Sequence, residues 1–522
     1  MAITINLSYV VCTASPWDPR LDEVGQYTLK QRKLPEELKR EREFFKANNY
    51  TRKPNPYKYL KQSVISVENN TGYFLLGTWH KLQEKLDKFG IDYVVNDQCD
   101  KALMPDPDYE ALRGYDFRPG QLDAIAAIAT SKGGVICSTV GFGKSFIIKL
   151  LCKIYPTLNI LVVCAAGEVV RELYRAINEE LPGQVGLLNM DSDNVSGKRI
   201  IVTTSKSMTK VKPEQVQLVL VDEAHNYGDN TSGQELMKFC YARRFGFTAT
   251  PIRNQGDYKF FEALFGPILQ EVSFQEAKEA GSVTDIAYSM IPFGRKLPYL
   301  QESNLPDHLK TKLFYTSNPA RDNLIVSTFK AIQEANPDVQ ILIMVQSLAH
   351  LIKLCEKLPE CKWAHGERGS LEKYRKQKSL AHVFLKKYEQ NAKLSNWVKR
   401  SFESAEIKYA VATGVWAQGI NLSHLSVLIR ADGMASGIPS IQIPGRLSRL
   451  DKEKSIAYLI DMQDDFCEQA EARAKKREKT YQEQGWSKVS LFDILKQLKE
   501  RKIDAEKKQK RSVDESDEEI SQ

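Results

Sequence analysis

Between residues 133 and 250 the chain carries five short apolar runs that do not alternate: GGVICST, NILVVCAA, RIIVTT, VQLVLVDEA and RFGFTAT. A strand that is apolar at every position is covered on both faces, and that arrangement belongs to parallel sheets. Amphipathic stretches, among them SFIIKLLCKIY and EVVRELYRAINEEL, lie between runs where crossover helices are needed. The pattern restarts at VQILIMVQS, followed by a helix LAHLIKLCEKL and the strands KYAVAT, LSVLIRAD and SIAYLIDM. The sequence therefore predicts two α/β domains in tandem, with a cleft between them.

The flanks differ in character. Residues 1–112 are expected to form a small α/β accessory domain. Within it GYFLLGTWHKLQEKLDKFGIDYVVND reads as strand, helix and strand, with Leu82, Leu86 and Phe89 on one side of the helix. MPDPDYEALRGYD, with two prolines, reads as the linker into a first domain, 113–285. A second domain spans 286–466. The remainder, 467–522, is a charged tail with helical stretches, and its end SVDESDEEISQ is expected to be disordered.

Two stretches are strongly basic. Residues 30–61 hold eleven Lys or Arg against four Glu, and 371–400 hold nine against two. Each reads equally as a solvated face or as a nucleic-acid contact. The aromatics interleaved in the first, including Tyr57 and Tyr59, favour contact, because bases stack on aromatic faces. The net charge of +8 is by itself only a weak pointer to a polyanionic partner.

Other classes are disfavoured. No apolar run approaches the ~20 residues of a membrane span, and the N-terminus lacks the basic lead of a signal peptide. The nine cysteines form no CxxC pair and the seven histidines no HExxH. Neither a structural zinc site nor a disulfide framework is expected, and buried reduced thiols suit a cytoplasmic protein.

The chemistry concentrates in two places. STVGFGKS (138–145) joins an apolar strand to a helix, where backbone N–H groups face a phosphate. Gly141 and Gly143 permit close backbone approach across Phe142. Lys144 would reach the β- and γ-phosphates, and Ser145 would ligate Mg²⁺. Ser138 stands where the usual G-x-x-x-x-G-K-[ST] spacing has its first glycine. VLVDEAHN (219–226) then delivers Asp222 to a strand's C-terminal end to hold Mg²⁺, with Glu223 placed to orient or deprotonate a water.

With both elements in this order, the chain resembles the superfamily 2 helicases. STVGFGKS resembles their motif I and DEAH (222–225) their motif II. FRPGQLDAI (117–125) is similar to the adenine-side motif, with Gln121 as the base reader. LVVCAAGEVVRELY resembles motif Ia, although CAAGEVV departs from its common form. IVTTSKSM (201–208) resembles the next nucleic-acid contact. FTATP (247–251) is similar to motif III, which implies that Thr248, Ala249 and Thr250, with His225, couple hydrolysis to movement. ATGVWAQGINL (412–422), holding Thr413 and Gly419, resembles motif V. QIPGRLSR (442–449) resembles motif VI, which implies catalytic roles for Gln442 and for Arg446 and Arg449 as arginine fingers. Thr203, Thr204 and Thr413 are candidate phosphate contacts by position.

The resemblance covers about 117–465. It implies two tandem RecA-like parallel-sheet domains, ATP and Mg²⁺ as cofactors, and closure of the domains over ATP as the motor stroke. Within the superfamily the motifs look like the DNA-directed branch that includes XPB, RecG and the bacteriophage UvsW-type recombination helicases. Residues 70–98 and YLIDMQDD (458–465) point to the last. The implied activity is an ATP-dependent DNA helicase or translocase on single-stranded and branched DNA. Single-strand-binding or recombination proteins are possible partners, no membrane is involved, and the site of action is the cytoplasm, a host's if the chain is of bacteriophage origin. Three rivals stand beside it: an RNA helicase, a double-stranded DNA translocase subunit without unwinding, and a catalytically silent DNA-binding scaffold.

Overall fold

The computed structural model describes residues 2–48, 54–165, 167–190, 192–250, 256–294, 312–364, 395–417, 422–434, 444–448 and 454–520. They form two compact units, Met1–Val272 and Ser273–Gln522.

The larger sheet of the first unit has eight strands. Their order is Asp193–Asn194, Val185–Leu188, Ile200–Thr204, Ile160–Cys164, Leu218–Asp222, Arg243–Thr248, Gly133–Ser138 and Ile268–Val272. Every pairing is parallel except that of the two-residue edge strand. The apolar runs account for this. Ile160–Cys164, Leu218–Asp222 and Arg243–Thr248 are buried at every position. The helices Gln121–Thr130, Lys144–Ile154 and Gly167–Glu180 cover one face. The helix Tyr258–Phe265 covers the other with Phe261, Leu264 and Phe265. The C-termini of the seven parallel strands thus lie along one edge, where the loops carrying the motifs emerge.

The accessory domain in the same unit is a five-stranded mixed sheet of order Ile65–Glu68, Thr71–Phe74, Cys12–Ser15, Ile3–Leu7 and Tyr93–Asp97. The expected strand, helix and strand are present as Thr71–Phe74, Trp79–Phe89 and Tyr93–Asp97. Leu82 and Leu86 are fully buried, but Phe89 is not: it ends the helix at 37% exposure beneath Arg20 and Lys85. Gly90, at φ +61°, closes that helix with a left-handed cap. Strands Gln26–Arg32 and Tyr57–Ser63 form a separate two-stranded ribbon, linked by a sequence that includes the helix Pro35–Ala47.

The second unit holds a seven-stranded sheet, parallel throughout. Its order is Lys362–Ala364, Tyr409–Thr413, Gln340–Val345, Leu425–Arg430, Ile456–Asp464, Asp285–Phe293 and Ser487–Lys488. Two features were not foreseen. Asp285–Phe293, a strand absent from the sequence reading, pairs with Ile456–Asp464 along its whole length. The tail is helical, as Glu468–Glu483 and Leu491–Ile520, but its first part is no appendage. Ser487–Lys488 extends the sheet, and Ile494 and Leu498 are fully buried in its core.

That integration was hidden because ions, not an apolar stripe, hold the first tail helix. Arg477 donates to both carboxylate oxygens of Asp461, at 2.7 and 3.1 Å, with neither side chain exposed. Tyr481 Oη donates to Asp461 at 2.7 Å and accepts from Arg430, which is itself forked onto Asp432. Beside them Arg321 forks onto Asp464. Burial alone would push the Asp461 carboxyl up, but the guanidiniums of Arg477 and Arg430 hold it below its ordinary value.

Candidate nucleotide site

Three neighbouring strands end together on one edge of the first sheet: Gly133–Ser138, Arg243–Thr248 and Leu218–Asp222. The loop after the first of them turns into the helix Lys144–Ile154, whose N-cap is Gly143 at φ +101° with no side-chain cap. The orphan N–H groups of that first turn and the positive end of the helix dipole are therefore left for an anion. Gly141, at φ +93°, and Gly143 need the left-handed region, and a Cβ on Gly143 would run into the amide nitrogen of Gln121. Ser138 does not need to be glycine. It is the last residue of the strand, buried to 1% exposure, and its Cβ is tolerated there.

Lys144 Nζ donates to the carbonyls of Ser138 and Thr139, at 2.8 and 3.1 Å, so its ammonium lies over the loop it opens. Ser145 is exposed on the first turn and Asp222 is 7% exposed at its strand's end. A hydroxyl and a carboxylate are hard oxygen donors, the kind that hold Mg²⁺ together with phosphate oxygens and water. Among the described residues no cluster of three or more His, Cys, Asp or Glu could hold a metal ion.

Gln121 is placed differently from its expected role as base reader. It is 2% exposed, its Nε2 donates to the carbonyl of Phe142 at 2.7 Å, and its Oε1 accepts from the backbone of Arg118. Phe142, itself fully buried, and Gln121 thus brace the loop from behind. Arg118, which the sequence reading did not single out, donates to the carbonyl of Gly141 at 2.7 Å. Its signal was its place in FRPGQ, one turn before Gln121.

A relay leads away from Asp222. Glu223 has a left-handed backbone, φ +51°, rare for a residue with a side chain. Its carboxylate lies 3.3 Å from His225 Nδ1, and the same nitrogen lies 3.0 Å from Thr248 Oγ1. Thr248 Oγ1 already donates to the carbonyl of Thr250 and accepts from the Thr250 N–H. The histidine nitrogen is therefore the donor to Thr248. His225 and Thr248 are almost fully buried, and Ala249 and Thr250 half-buried, so the relay joins the DEAH segment to the end of the next strand.

The candidate phosphate contacts fare unequally. Thr203 is fully buried and its hydroxyl donates to the carbonyl of Leu188 at 2.9 Å, so it is a sheet residue and not a backbone contact. Thr204 is half-buried and its hydroxyl accepts from the N–H of Ser207. Thr413, half-buried, ends its strand in the second unit, opposite Val345. Gly419, Gln442 and Arg449 lie outside the described residues. Arg446 falls within the 3₁₀ turn Pro444–Ser448, with its side chain outside them.

This geometry has counterparts in known proteins. The family model for the res subunit of type III restriction enzymes matches residues 114–253, the span of the loop, the DEAH segment and the relay. The DNA 3′-5′ translocase XPB2 of Sulfurisphaera tokodaii is 23% identical over 363 residues, 66% of this chain and 81% of that protein. Over this span the chain is thus similar to helicases and DNA translocases, in keeping with its superfamily 2 motifs. In fold, the chain is similar to S. cerevisiae Dbp5 bound to RNA and ADP BeF3, at a TM-score of 0.52 and 14% identity, covering 76% of this chain and 96% of that one. The crystal structure of T4 UvsW aligns with 94% of this chain and 100% of that one at 14% identity, but at a TM-score of 0.39, too low to carry an inference. No described helix is long and apolar enough to cross a membrane.

Proposed function

We propose that this chain is an ATP- and Mg²⁺-dependent DEAH-box DNA helicase or translocase that acts on branched DNA: forks, recombination junctions and displacement loops. One observation carries the motor reading. The bare helix end at Gly143–Ser145, the Asp222–Glu223 pair and the Glu223–His225–Thr248 relay all belong to one edge of one parallel sheet. Lys144 and the loop amides bind the phosphates, Ser145 and Asp222 hold Mg²⁺, and Glu223 acts on the attacking water. Loss of the γ-phosphate changes what Glu223 faces, and His225 passes that change to Thr248 and Thr250. By their motifs, Gly419, Gln442, Arg446 and Arg449 are assigned to ATP as well. Thr204 and Thr413 touch the nucleic-acid backbone.

DNA is chosen because the XPB2 relative is named as a DNA translocase and because the motifs follow the DNA-directed branch. Recombination and repair, single-strand-binding or recombination proteins as partners, and a cytoplasmic site, a host's for a bacteriophage protein, follow from the likeness of 70–98 and 458–465 to the UvsW type. The deciding experiment measures ATPase stimulation and unwinding over single-stranded DNA, fork, Holliday junction, duplex and RNA. Stimulation by single-stranded and forked DNA with unwinding of the junctions is expected. Stimulation by RNA alone would overturn the choice of substrate, and tracking along duplex without unwinding would make the chain a translocase subunit.

A further inference from the structure

The ribbon Gln26–Arg32 with Tyr57–Ser63 has two unlike faces, set by its antiparallel register. On one face Tyr27, Leu29, Lys58 and Leu60 are half-buried, and Tyr27 packs against the core beneath the first RecA-like sheet. Tyr27 Oη donates to Asp229 at 2.8 Å, the Asp229 N–H donates to Asp257, and Gly256 presses on the carbonyl of Thr28. The ribbon is therefore rooted in the segment that leaves the DEAH turn.

The other face is exposed along its whole length. Register sets Lys30 opposite Tyr59, Arg32 opposite Tyr57 and Lys61 opposite Thr28. Residues directly opposite share a face, so each tyrosine stands beside a cation. The remaining places are glutamine, threonine and serine, and no acid occupies this face. Tyr59 is 58% and Tyr57 39% exposed, although an isolated two-stranded ribbon has every reason to bury its aromatics. We infer that this face is a stacking platform for single-stranded nucleic acid, with one base on each tyrosine and the backbone drawn along Lys30, Arg32 and Lys61.

Spacing selects the occupant. Tyr57 and Tyr59 are two residues apart on one strand, about 6.6–6.8 Å. Successive bases of a duplex strand rise only about 3.4 Å. A duplex cannot place neighbouring bases on both rings, whereas an unpaired strand with splayed bases can. Lys30 Nζ now lies 4.4 Å from the ring centroid of Tyr57. Its flexible stem lets it turn outward to a phosphate as a base takes its place on the ring. The inference deepens the proposed function, resting on it only in taking nucleic acid as the substrate.

The test is equilibrium binding of labelled oligo(dT), oligo(U) and duplex DNA to the full chain across a salt series, without ATP. The pair Tyr57→Ala and Tyr59→Ala should weaken single-strand binding roughly 5- to 150-fold per base lost, with the salt slope unchanged. Tyr57→Phe with Tyr59→Phe should restore it, which a misfolded ribbon would not. Lys30→Ala, Arg32→Ala and Lys61→Ala together should flatten the slope by about 2, since each phosphate contact with a single strand contributes about 0.7. A loss confined to oligo(dT) assigns the platform to DNA, and one confined to oligo(U) assigns it to RNA. Single-strand binding of the alanine pair within twofold of wild type, or an equal loss on duplex, would overturn the platform. Failure of the motor reading shows instead as an ATPase that no nucleic acid stimulates.

Discussion

The two large sheets each send an interior strand into a helix, and they finish that turn in opposite ways. In the first unit Gly133–Ser138 leads through a glycine loop to Lys144–Ile154, whose N-terminus has no side-chain cap. In the second, Gln340–Val345 leads to Leu348–Lys357, whose N-cap Ser347 accepts from the N–H of His350 at 3.3 Å. One helix end is closed by its own chain and the other is left open to an outside anion. The second unit has no glycine loop there, and it fills its interior near the ends of Leu425–Arg430 and Ile456–Asp464 with paired ions. An uncapped helix end lacks about 1 kcal/mol that a serine would supply, so leaving one open marks where a ligand provides the missing bonds.

The contrast can be broken experimentally. The largest effect is expected from Arg477→Ala, which strands the buried Asp461 carboxylate and should destabilise the second unit by about 3–5 kcal/mol. Hydrogen exchange in Ile456–Asp464 under increasing urea measures it, and protection equal to wild type would refute the role given to the ions. Next, Gly143→Ala forces a side chain into left-handed backbone and against Gln121, at about 1–3 kcal/mol. Binding of a fluorescent ATP analogue should weaken by that amount, while ATP affinity equal to wild type would mean the loop adopts another shape.

Glu180 sharpens the comparison from the first unit. Hydrogen bonds from Tyr115, Lys149 and Lys153 hold its carboxyl down to about 2. Because the folded value lies below the unfolded one, this stabilisation is complete above about pH 4.5 and is lost as pH falls toward 2. It amounts to about 1–2 kcal/mol, since the carboxylate keeps some contact with water. Glu180→Gln should flatten the acid limb of a stability curve, and an unchanged limb would count against the pairing. The smallest effect is Ser347→Ala. It should cost about 1 kcal/mol in a thermal melt without altering ATP affinity, since Ser347 caps a helix outside the phosphate loop.

Some of this was legible in the residues. Unbroken Val, Ile and Leu runs announced the parallel sheets, because a strand covered on both faces has no polar positions to alternate with. The loop and the DEAH segment were legible because phosphate chemistry needs glycine, lysine and carboxylate at fixed offsets along the chain. Thr203 was misread, since facing inward or outward depends on what its neighbours cover, and here Leu188 takes its hydroxyl. The charged tail looked solvated because a composition of Arg, Lys and Glu carries no mark of burial when each buried ion finds its partner 15 or more residues away.

By itself, then, the sequence determined the fold class, the order of the elements and the chemical groups at the phosphate loop, all of which depend on local periodicity and spacing. Only the tertiary structure decided that Gln121 braces that loop, that Arg477 belongs to the second core, and that Lys30, Arg32, Tyr57, Tyr59 and Lys61 share one exposed face. Those outcomes depend on strand register and on contacts between distant segments, which no run of neighbouring residues encodes.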